Sequence, residues 1–186
     1  MKALEYCKLL VTCCLIVMMS GCHEEDEYRA YMVSGRWFGD LGMMIDGVPA
    51  LGSDMEFIQD GYQTTWGYGY ETDYYRGYYG VMTVEHYFEW TIEYGIIYLR
   101  FDDPSLDCNI RDYRLSNDYF EGYLDGVYSS VYFSLRNYDL YWNSYGYFND
   151  YRYSYRRSVP ADSTVTVPLR ADEEKPVCVR RLNVAP

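Results

Sequence analysis

The sequence predicts an all-β protein, a small antiparallel up-and-down meander of about eight short strands that closes into a barrel or a strongly curved sheet. Tyrosine, which favours strands, occurs 25 times among 186 residues. Between residues 34 and 138, Gly, Asn and Asp recur at short intervals as turn signals, and no stretch has the apolar spacing of a helix. Short strands joined by tight turns are typical of up-and-down barrels and sandwiches.

The strands are expected to follow one another as hairpins. Asp46-Gly47, Asp60-Gly61 and Asp125-Gly126 are dipeptides of the kind that form tight hairpin turns. The predicted strands are residues 36–45, 55–59, 62–70, 81–93, 96–101, 109–115, 119–124 and 129–136. This meander defines a barrel domain over residues 34–140.

The clearest strand covers residues 84–93, where apolar and polar side chains alternate. Successive residues of a strand point to opposite faces, so one face of this strand is predicted to lie in the core and the other to be exposed to solvent. The core face holds Val84, His86, Phe88, Trp90 and Ile92. A lone histidine among apolar residues is more often a hydrogen-bonded core residue than a ligand or a base, and we interpret His86 in that way.

Residues 1–21 are predicted to be a signal peptide. A positively charged flank precedes an apolar run, residues 9–19, that is too short to span a membrane. Ser20 and Gly21 are small, and Cys22 follows them. This arrangement resembles the lipobox of bacterial lipoproteins. The resemblance implies cleavage before Cys22, diacylation of its sulfur and acylation of the new amino terminus; the alternative is an ordinary secretory signal that contains cysteines.

Residues 22–33 are predicted to be an acidic tether between the lipid and the barrel. Four acidic residues, 24–27, follow His23 directly. The cluster resembles the export signal that carries lipoproteins of the Bacteroidetes group to the outer face of the outer membrane. The resemblance implies a lipid-anchored protein of the outer membrane that faces the cell exterior. The alternative interpretation is a solvated spacer.

Gly35-Arg36-Trp37 opens the first predicted strand. Together with the eight-strand meander, this motif resembles the lipocalin-like or calycin-like β-barrel class, whose first strand carries Gly-x-Trp. The resemblance implies that Trp37 closes one end of the barrel and that Arg136, from the last strand, stacks across its ring by a cation–π contact. With the lipobox, the whole is similar to surface lipoproteins of unknown function from gut Bacteroidetes, so the resemblance implies a fold and a location but no activity.

Residues 141–186 are predicted to be a Tyr-rich segment followed by a mobile, disordered tail. From residue 156 onward the composition changes to Pro, Val, Arg and Glu, without a hairpin signal. After the signal peptide and Cys22, two cysteines remain, Cys108 and Cys178, and whether they pair is left open. Their spacing and that of His86 do not fit a zinc site, and we expect no cofactor.

Composition restricts the function classes. A formal net charge of −12 argues against nucleic acid as a partner and against electrostatic docking on anionic lipid. The membrane is therefore expected to be reached through the lipid on Cys22. No nucleophile elbow, P-loop or dinucleotide fingerprint is present in the sequence. Enzymatic activity is not expected.

A non-catalytic binding module for a small ligand or a saccharide is the first functional hypothesis. Flat aromatic rings stack on sugar faces, while phenol hydroxyls form hydrogen bonds at the edges. The candidate ligand-binding residues are Tyr68, Tyr70, Tyr74, Tyr75, Tyr78 and Tyr79. Two alternatives stay open. The tyrosines could form the binding surface of a structural or protein-interaction component of the outer membrane surface. They could also have only a structural role, in place of leucine and threonine, in a sheet with one face exposed to solvent.

Overall fold

The computed structural model describes residues 24–77, 80–138 and 177–183. Residues 24–33 form a helix, α1. The strands are β1 Gly35–Gly39, β2 Met43–Ile45, β3 Val48–Pro49, β4 Gly52–Gln59, β5 Trp66–Gly77, β6 Gly80–Glu93, β7 Ile96–Phe101, β8 Cys108–Leu115, β9 Tyr119–Asp125, β10 Ser130–Asn137 and β11 Cys178–Arg180. Short 3₁₀ turns occupy Pro104–Leu106 and Arg181–Asn183.

Eight antiparallel strands form a closed barrel in the order β1-β10-β9-β8-β7-β6-β5-β4. Strand β1 closes it, because Trp37 lies opposite Met55 of β4 on one side and opposite Asn137 of β10 on the other. The three remaining strands form a small sheet in the order β11-β2-β3. The predicted all-β meander that closes into a barrel is confirmed, and its architecture is compatible with a lipocalin-like fold.

Two predicted strands differ most from the structure in their bounds. The predicted strand 36–45 is divided into β1 and β2, because the chain turns at Gly42, which has a φ of +71° and donates its N–H to the Asp40 carboxylate at 2.8 Å. The predicted strand 62–70 begins later and continues to Gly77, where it still pairs with β6.

Aromatic side chains fill the barrel interior. Trp37 and Trp90 are both 1% exposed, and for Trp90 the alternation along residues 84–93 predicted this burial. The ring centroids of Phe57 and Phe88 lie 5.3 Å apart, and those of Trp37 and Phe120 lie 5.6 Å apart, in edge-to-face arrangements. Such pairs contribute about 0.5–1.5 kcal/mol each beyond their burial. Phe88, also on the predicted core face, is completely buried, and Leu99, Phe133 and Leu135 of β7 and β10 are buried as well.

The glycines of the Tyr/Gly-rich stretch make room for these rings. Gly67 and Gly69 face the interior, in register with Trp90 and Phe88 of β6. A Cβ atom at Gly67 would lie 2.8 Å from Cζ2 of Trp90, and one at Gly69 would overlap the ring of Phe88. In this part of β5, the two glycines therefore face the interior, and the tyrosines at positions 68 and 70 face outward.

Helix α1 covers the first end of the barrel, where β1 begins. Ala30 and Val33 are fully buried, and the indole N–H of Trp37 donates to the Val33 carbonyl at 2.7 Å. The Asp26 carboxylate accepts the backbone N–H groups of Tyr94 and Gly95, at 2.8 and 2.9 Å. The expectation of a tether is therefore wrong for residues 24–33: positions 26, 30 and 33 share one helical face, which packs on the barrel.

The stacking of Arg136 on Trp37 does not form. Arg136 lies opposite Phe38, the neighbour of Trp37, and adjacent positions of a strand face opposite sides. Arg136 is therefore exposed on the outer surface, whereas Trp37 points into the interior. The position predicted for Trp37 at a barrel end is correct, but α1 and Phe120 cover its ring in place of an arginine.

The small sheet covers the second end of the barrel, where β5 ends. Cys178 pairs with Ile45 and Arg180 with Met43, and Leu182 is 1% exposed in the turn that follows. The prediction of a mobile tail is therefore wrong for residues 177–183, because every second side chain of this segment, Cys178, Arg180 and Leu182, is buried. The rest of the predicted tail lies outside the described residues. Cys178 and Cys108 are both free thiols.

Candidate functional site

A cluster of exposed aromatic side chains lies on the outer surface of β5 and β6. Trp66, Tyr68 and Tyr70 point outward from β5, and Tyr87 of β6 lies opposite Tyr70. The exposed fractions of Trp66, Tyr70 and Tyr87 are 48%, 36% and 38%. Tyr68 is half-buried between its neighbours. We call these four residues the aromatic face.

The three tyrosine rings of the aromatic face contact one another. The centroids of Tyr68 and Tyr87 are 6.4 Å apart with an interplanar angle of 25°, and those of Tyr70 and Tyr87 are 5.7 Å apart. Within the residues that the structure describes, the hydroxyls of Tyr68, Tyr70 and Tyr87 make no hydrogen bond. The face therefore presents flat apolar surface together with donors and acceptors.

Carboxylates border the aromatic face on both sides. Glu56 of β4 lies opposite Tyr70, and Glu89 of β6 lies opposite Tyr68. Desolvation by the surrounding side chains, followed by the negative charge of Glu89, raises the pKa of Tyr87 above its ordinary value. The Tyr87 hydroxyl therefore stays protonated at neutral pH and is able to donate a hydrogen bond.

The six predicted ligand-binding tyrosines do not share one surface. Tyr68 and Tyr70 belong to the aromatic face. Tyr74 also faces outward, but it is half-buried and donates its hydroxyl to the Asp54 carboxylate at 2.6 Å, so its polar group is already bound. Tyr75 faces inward and is completely buried, so its prediction as a ligand contact is wrong. Tyr78 and Tyr79 lie outside the described residues.

Trp66 and Tyr87 were missed as candidate residues although the sequence contained signals for both. Alternation along residues 84–93 already places position 87 on the wet face. Its proximity to Tyr70 depends on the register between β5 and β6, which brings Thr91 opposite Trp66 and Tyr87 opposite Tyr70. Sequence periodicity gives the face of each residue but not this register.

A second group of functional side chains lies inside the barrel, near its second end. Asp73 accepts the hydroxyl of Ser53 at 2.5 Å, and Nε2 of His86 lies 3.7 Å from Oδ2 of Asp73. Glu71 forms an ion pair with Arg180 at 2.7 Å, and both are completely buried. We call these five residues the polar cluster.

Burial controls the protonation of the polar cluster. Desolvation, and then the charge of Glu71, raise the pKa of Asp73 to about 8, although the Ser53 hydroxyl and the Arg180 guanidinium act in the opposite direction. Asp73 is therefore largely protonated at neutral pH. His86 lies in the core as predicted, but in the described part of the chain its Nε2 atom makes no hydrogen bond.

The polar cluster does not have the arrangement of a nucleophilic active site. The Ser53 hydroxyl donates to Asp73 rather than to His86, so no base is positioned to accept its proton. All five side chains are also buried. Within residues 24–77, 80–138 and 177–183, no group of His, Cys, Asp and Glu side chains has the geometry to hold a metal ion.

No family model matches this chain, and comparison with curated proteins and with solved structures finds no match either. Among the described residues, no helix is both long and apolar enough to cross a membrane.

Proposed function

We propose that this protein is a non-catalytic saccharide-binding module and that the aromatic face is its contact surface. The observation that supports the proposal is the combination of Tyr68, Tyr70 and Tyr87 in one ring cluster on the outer surface, with hydroxyls that make no hydrogen bond to any described residue.

The chemistry of the aromatic face suits a neutral saccharide. The C–H faces of a pyranose pack against tyrosine and tryptophan rings, and its hydroxyls exchange hydrogen bonds with phenols. Glu56 and Glu89 add carboxylates, which accept hydrogen bonds from sugar hydroxyls. The formal net charge of −12 disfavours acidic polysaccharides, because their charges would be repelled.

We further propose that the module is a lipoprotein of the bacterial cell envelope, anchored through Cys22 and exposed on the outer membrane. The supporting observations are the lipobox-like sequence before Cys22 and the acidic cluster after it. Helix α1 adds a consequence for orientation. Because residues 24–33 pack on the first end of the barrel, a lipid on Cys22 would keep that end close to the bilayer.

The alternative function is that of a structural or protein-interaction component at the outer membrane surface. The supporting observation is a strand edge that has no second neighbour among the described residues: β6 pairs with β5 from Gly80 onward, but its ladder with β7 begins only at Phe88. Unpaired strand edges are surfaces to which another protein adds a strand. Val81 in this part of β6 is 43% exposed.

A glycan array distinguishes the two functions. We would screen the mature chain with Cys22→Ser, which leaves the fold intact without the lipid, and expect binding to one class of neutral glycans. Changing Tyr68, Tyr70 and Tyr87 together to Ser should abolish that signal. The matched control is Tyr123→Ser with Tyr132→Ser, a pair of exposed tyrosines with ring centroids 5.7 Å apart on β9 and β10, across the barrel.

Loss of glycan binding in the control pair as well as in the triple variant would contradict a specific role for the aromatic face. An array without any signal, together with an envelope protein that co-purifies with wild type and is lost when the β6 edge is changed at Val81 to Pro, would favour the alternative.

A further inference from the structure

Strand β11 enters the fold as a separate short element. Residues 138–177 separate it from β10 in the sequence, and it joins the small sheet by pairing Cys178, Val179 and Arg180 with Ile45, Met44 and Met43 of β2. The addition of a short extended segment to a sheet edge is a common way in which folded domains bind peptides. The main chain of β11 therefore has the geometry of a bound peptide.

The barrel supplies a complete environment for the side chain of Arg180. Its Nη2 atom lies 2.7 Å from the Glu71 carboxylate, and its Nη1 atom lies 3.5 Å from the Leu41 carbonyl. The centre of the guanidinium lies 5.1 Å from the ring centroid of Phe101. A carboxylate, a carbonyl and an aromatic ring are the groups that bind guanidinium in proteins, and all three come from the barrel and the loop that follows β1.

Two apolar contacts flank the arginine at alternate positions. Cys178 packs with Ile45, Val48 and Tyr75 in a small second core. Leu182 packs so closely on Gly126 that a Cβ atom there would overlap it. The second end of the barrel thus receives a pattern of a small apolar residue, an arginine and a leucine, each two positions apart.

The barrel offers more hydrogen-bonding groups than β11 uses. Among the described residues, Oε1 of Glu71, Oδ2 of Asp73 and the Tyr75 hydroxyl are buried without a hydrogen bond, and so is Nε of Arg180. A buried polar group without a partner destabilises the state in which it is left. The site therefore has capacity for a guanidinium that is bound through more of its nitrogens than that of Arg180.

We propose that the second end of the barrel is a binding site for an arginine-bearing β-strand, which β11 occupies as an intramolecular ligand and which a free strand of the same pattern can enter. This site is distinct from the aromatic face, so the two proposals stand or fall separately.

The first test measures binding of a free strand to the full mature chain. The probe is a fluorescent peptide of residues 177–183 with Cys178→Ala, and its matched control carries Arg180→Ala in addition. In the wild-type chain, β11 competes at an effective concentration on the order of millimolar. The Arg180→Ala chain should therefore bind the probe about tenfold or more tightly than wild type does, and it should not bind the control peptide. Equal binding of both peptides, or no binding of either, by a folded Arg180→Ala chain would overturn the proposal.

The second test uses the wild-type protein and does not depend on a variant that folds. Cys178 and Cys108 are both buried, and burial raises the pKa of each thiol to about 11, so both should react slowly while the fold stays closed. Labelling with a thiol reagent, followed by peptide mass mapping, should modify Cys178 about tenfold faster than Cys108, because β11 detaches while the barrel stays closed. Excess probe peptide should accelerate labelling of Cys178, whereas the control peptide should not. Equal rates for the two thiols would show that β11 is released only when the barrel unfolds, which would overturn the proposal.

Discussion

The guanidinium of Arg180 donates to the Glu71 carboxylate at 2.7 Å, and neither side chain is exposed to solvent. The pair joins the C-terminal strand β11 to the wall of the barrel. A buried ion pair is seldom more stabilising than well-packed apolar residues, but breaking it leaves one charge without compensation. Its main effect is therefore to make the position of β11 specific.

Replacing one partner of this pair should destabilise the protein more than replacing both. Arg180→Met leaves the buried Glu71 carboxylate unpaired and should lower the free energy of unfolding by about 3–5 kcal/mol. The double variant Arg180→Met with Glu71→Gln should recover a large part of that loss. Urea denaturation of the three proteins is the measurement, and an Arg180→Met loss under about 1 kcal/mol would contradict the buried pair.

Stability should fall as the pH rises, because of Asp73. Its pKa is raised from 3.8 to about 8 in the folded state, so folding favours its protonated form. This contribution is fully present below about pH 4 and is lost as the pH rises through about 8. The charged or polar groups around Asp73 are Ser53, Glu71, Tyr75, His86 and Arg180.

The pH prediction is tested by comparing wild type with Asp73→Asn, which keeps the shape of the side chain but does not titrate. Denaturation midpoints of the two proteins should be closest at low pH and should diverge in favour of the variant as the pH rises to about 8. Titrating groups that do not interact with Asp73 are common to both proteins and cancel in the difference. A difference that stays constant with pH would refute the raised pKa.

The docking of α1 should depend on Asp26. Its carboxylate accepts the N–H groups of Tyr94 and Gly95, so Asp26→Ala leaves two backbone donors without partners at the first end of the barrel. The expected loss is about 1–3 kcal/mol, with faster hydrogen exchange in residues 27–33. Glu24→Ala is the matched control, because Glu24 is acidic and exposed on the same helix. Equal hydrogen exchange in the two variants would argue against a role of Asp26 in holding α1 on the barrel.

The space at Gly69 should not tolerate a side chain. A methyl group there would collide with the ring of Phe88 and with the Glu56 carbonyl, so Gly69→Ala should destabilise the barrel by about 1–3 kcal/mol. Thr72→Ala, on the outward half of the same strand, should cost far less. Thermal denaturation measures both effects, and an unchanged melting temperature for Gly69→Ala would show that the ring moves aside freely.

The barrel was predictable from the sequence because its signals are local. Hairpin dipeptides and the alternation at residues 84–93 depend on neighbouring residues only. The inward orientation of Tyr75 was not predicted, because Glu71 and Asp73 occupy inward positions and break the apolar alternation that would have extended β5. Burial of these carboxylates depends on Arg180, which lies far away in the sequence.

The two ends of the barrel escaped prediction for the same reason. The acidic residues of α1 indicate a solvated segment. Its buried face is defined by contacts with Tyr94 and Trp37, which lie outside the helix and cannot be derived from its own sequence. Similarly, the implied stacking of Arg136 on Trp37 required a register that β1 and β10 do not adopt. Long-range register and end caps are set by tertiary packing, which local patterns do not encode.

Titration calorimetry with a glycan found on the array tests the saccharide proposal most directly. The comparison is between Tyr70→Ser, in the aromatic face, and Tyr123→Ser, which is exposed on β9 at the far side of the barrel. Loss of one stacked ring and its hydroxyl should weaken the affinity by about tenfold or more, which is about 1.4 kcal/mol. We expect Tyr70→Ser to show this loss and Tyr123→Ser to bind as wild type does. Unchanged affinity in a folded Tyr70→Ser protein would contradict the proposal that the aromatic face binds the saccharide.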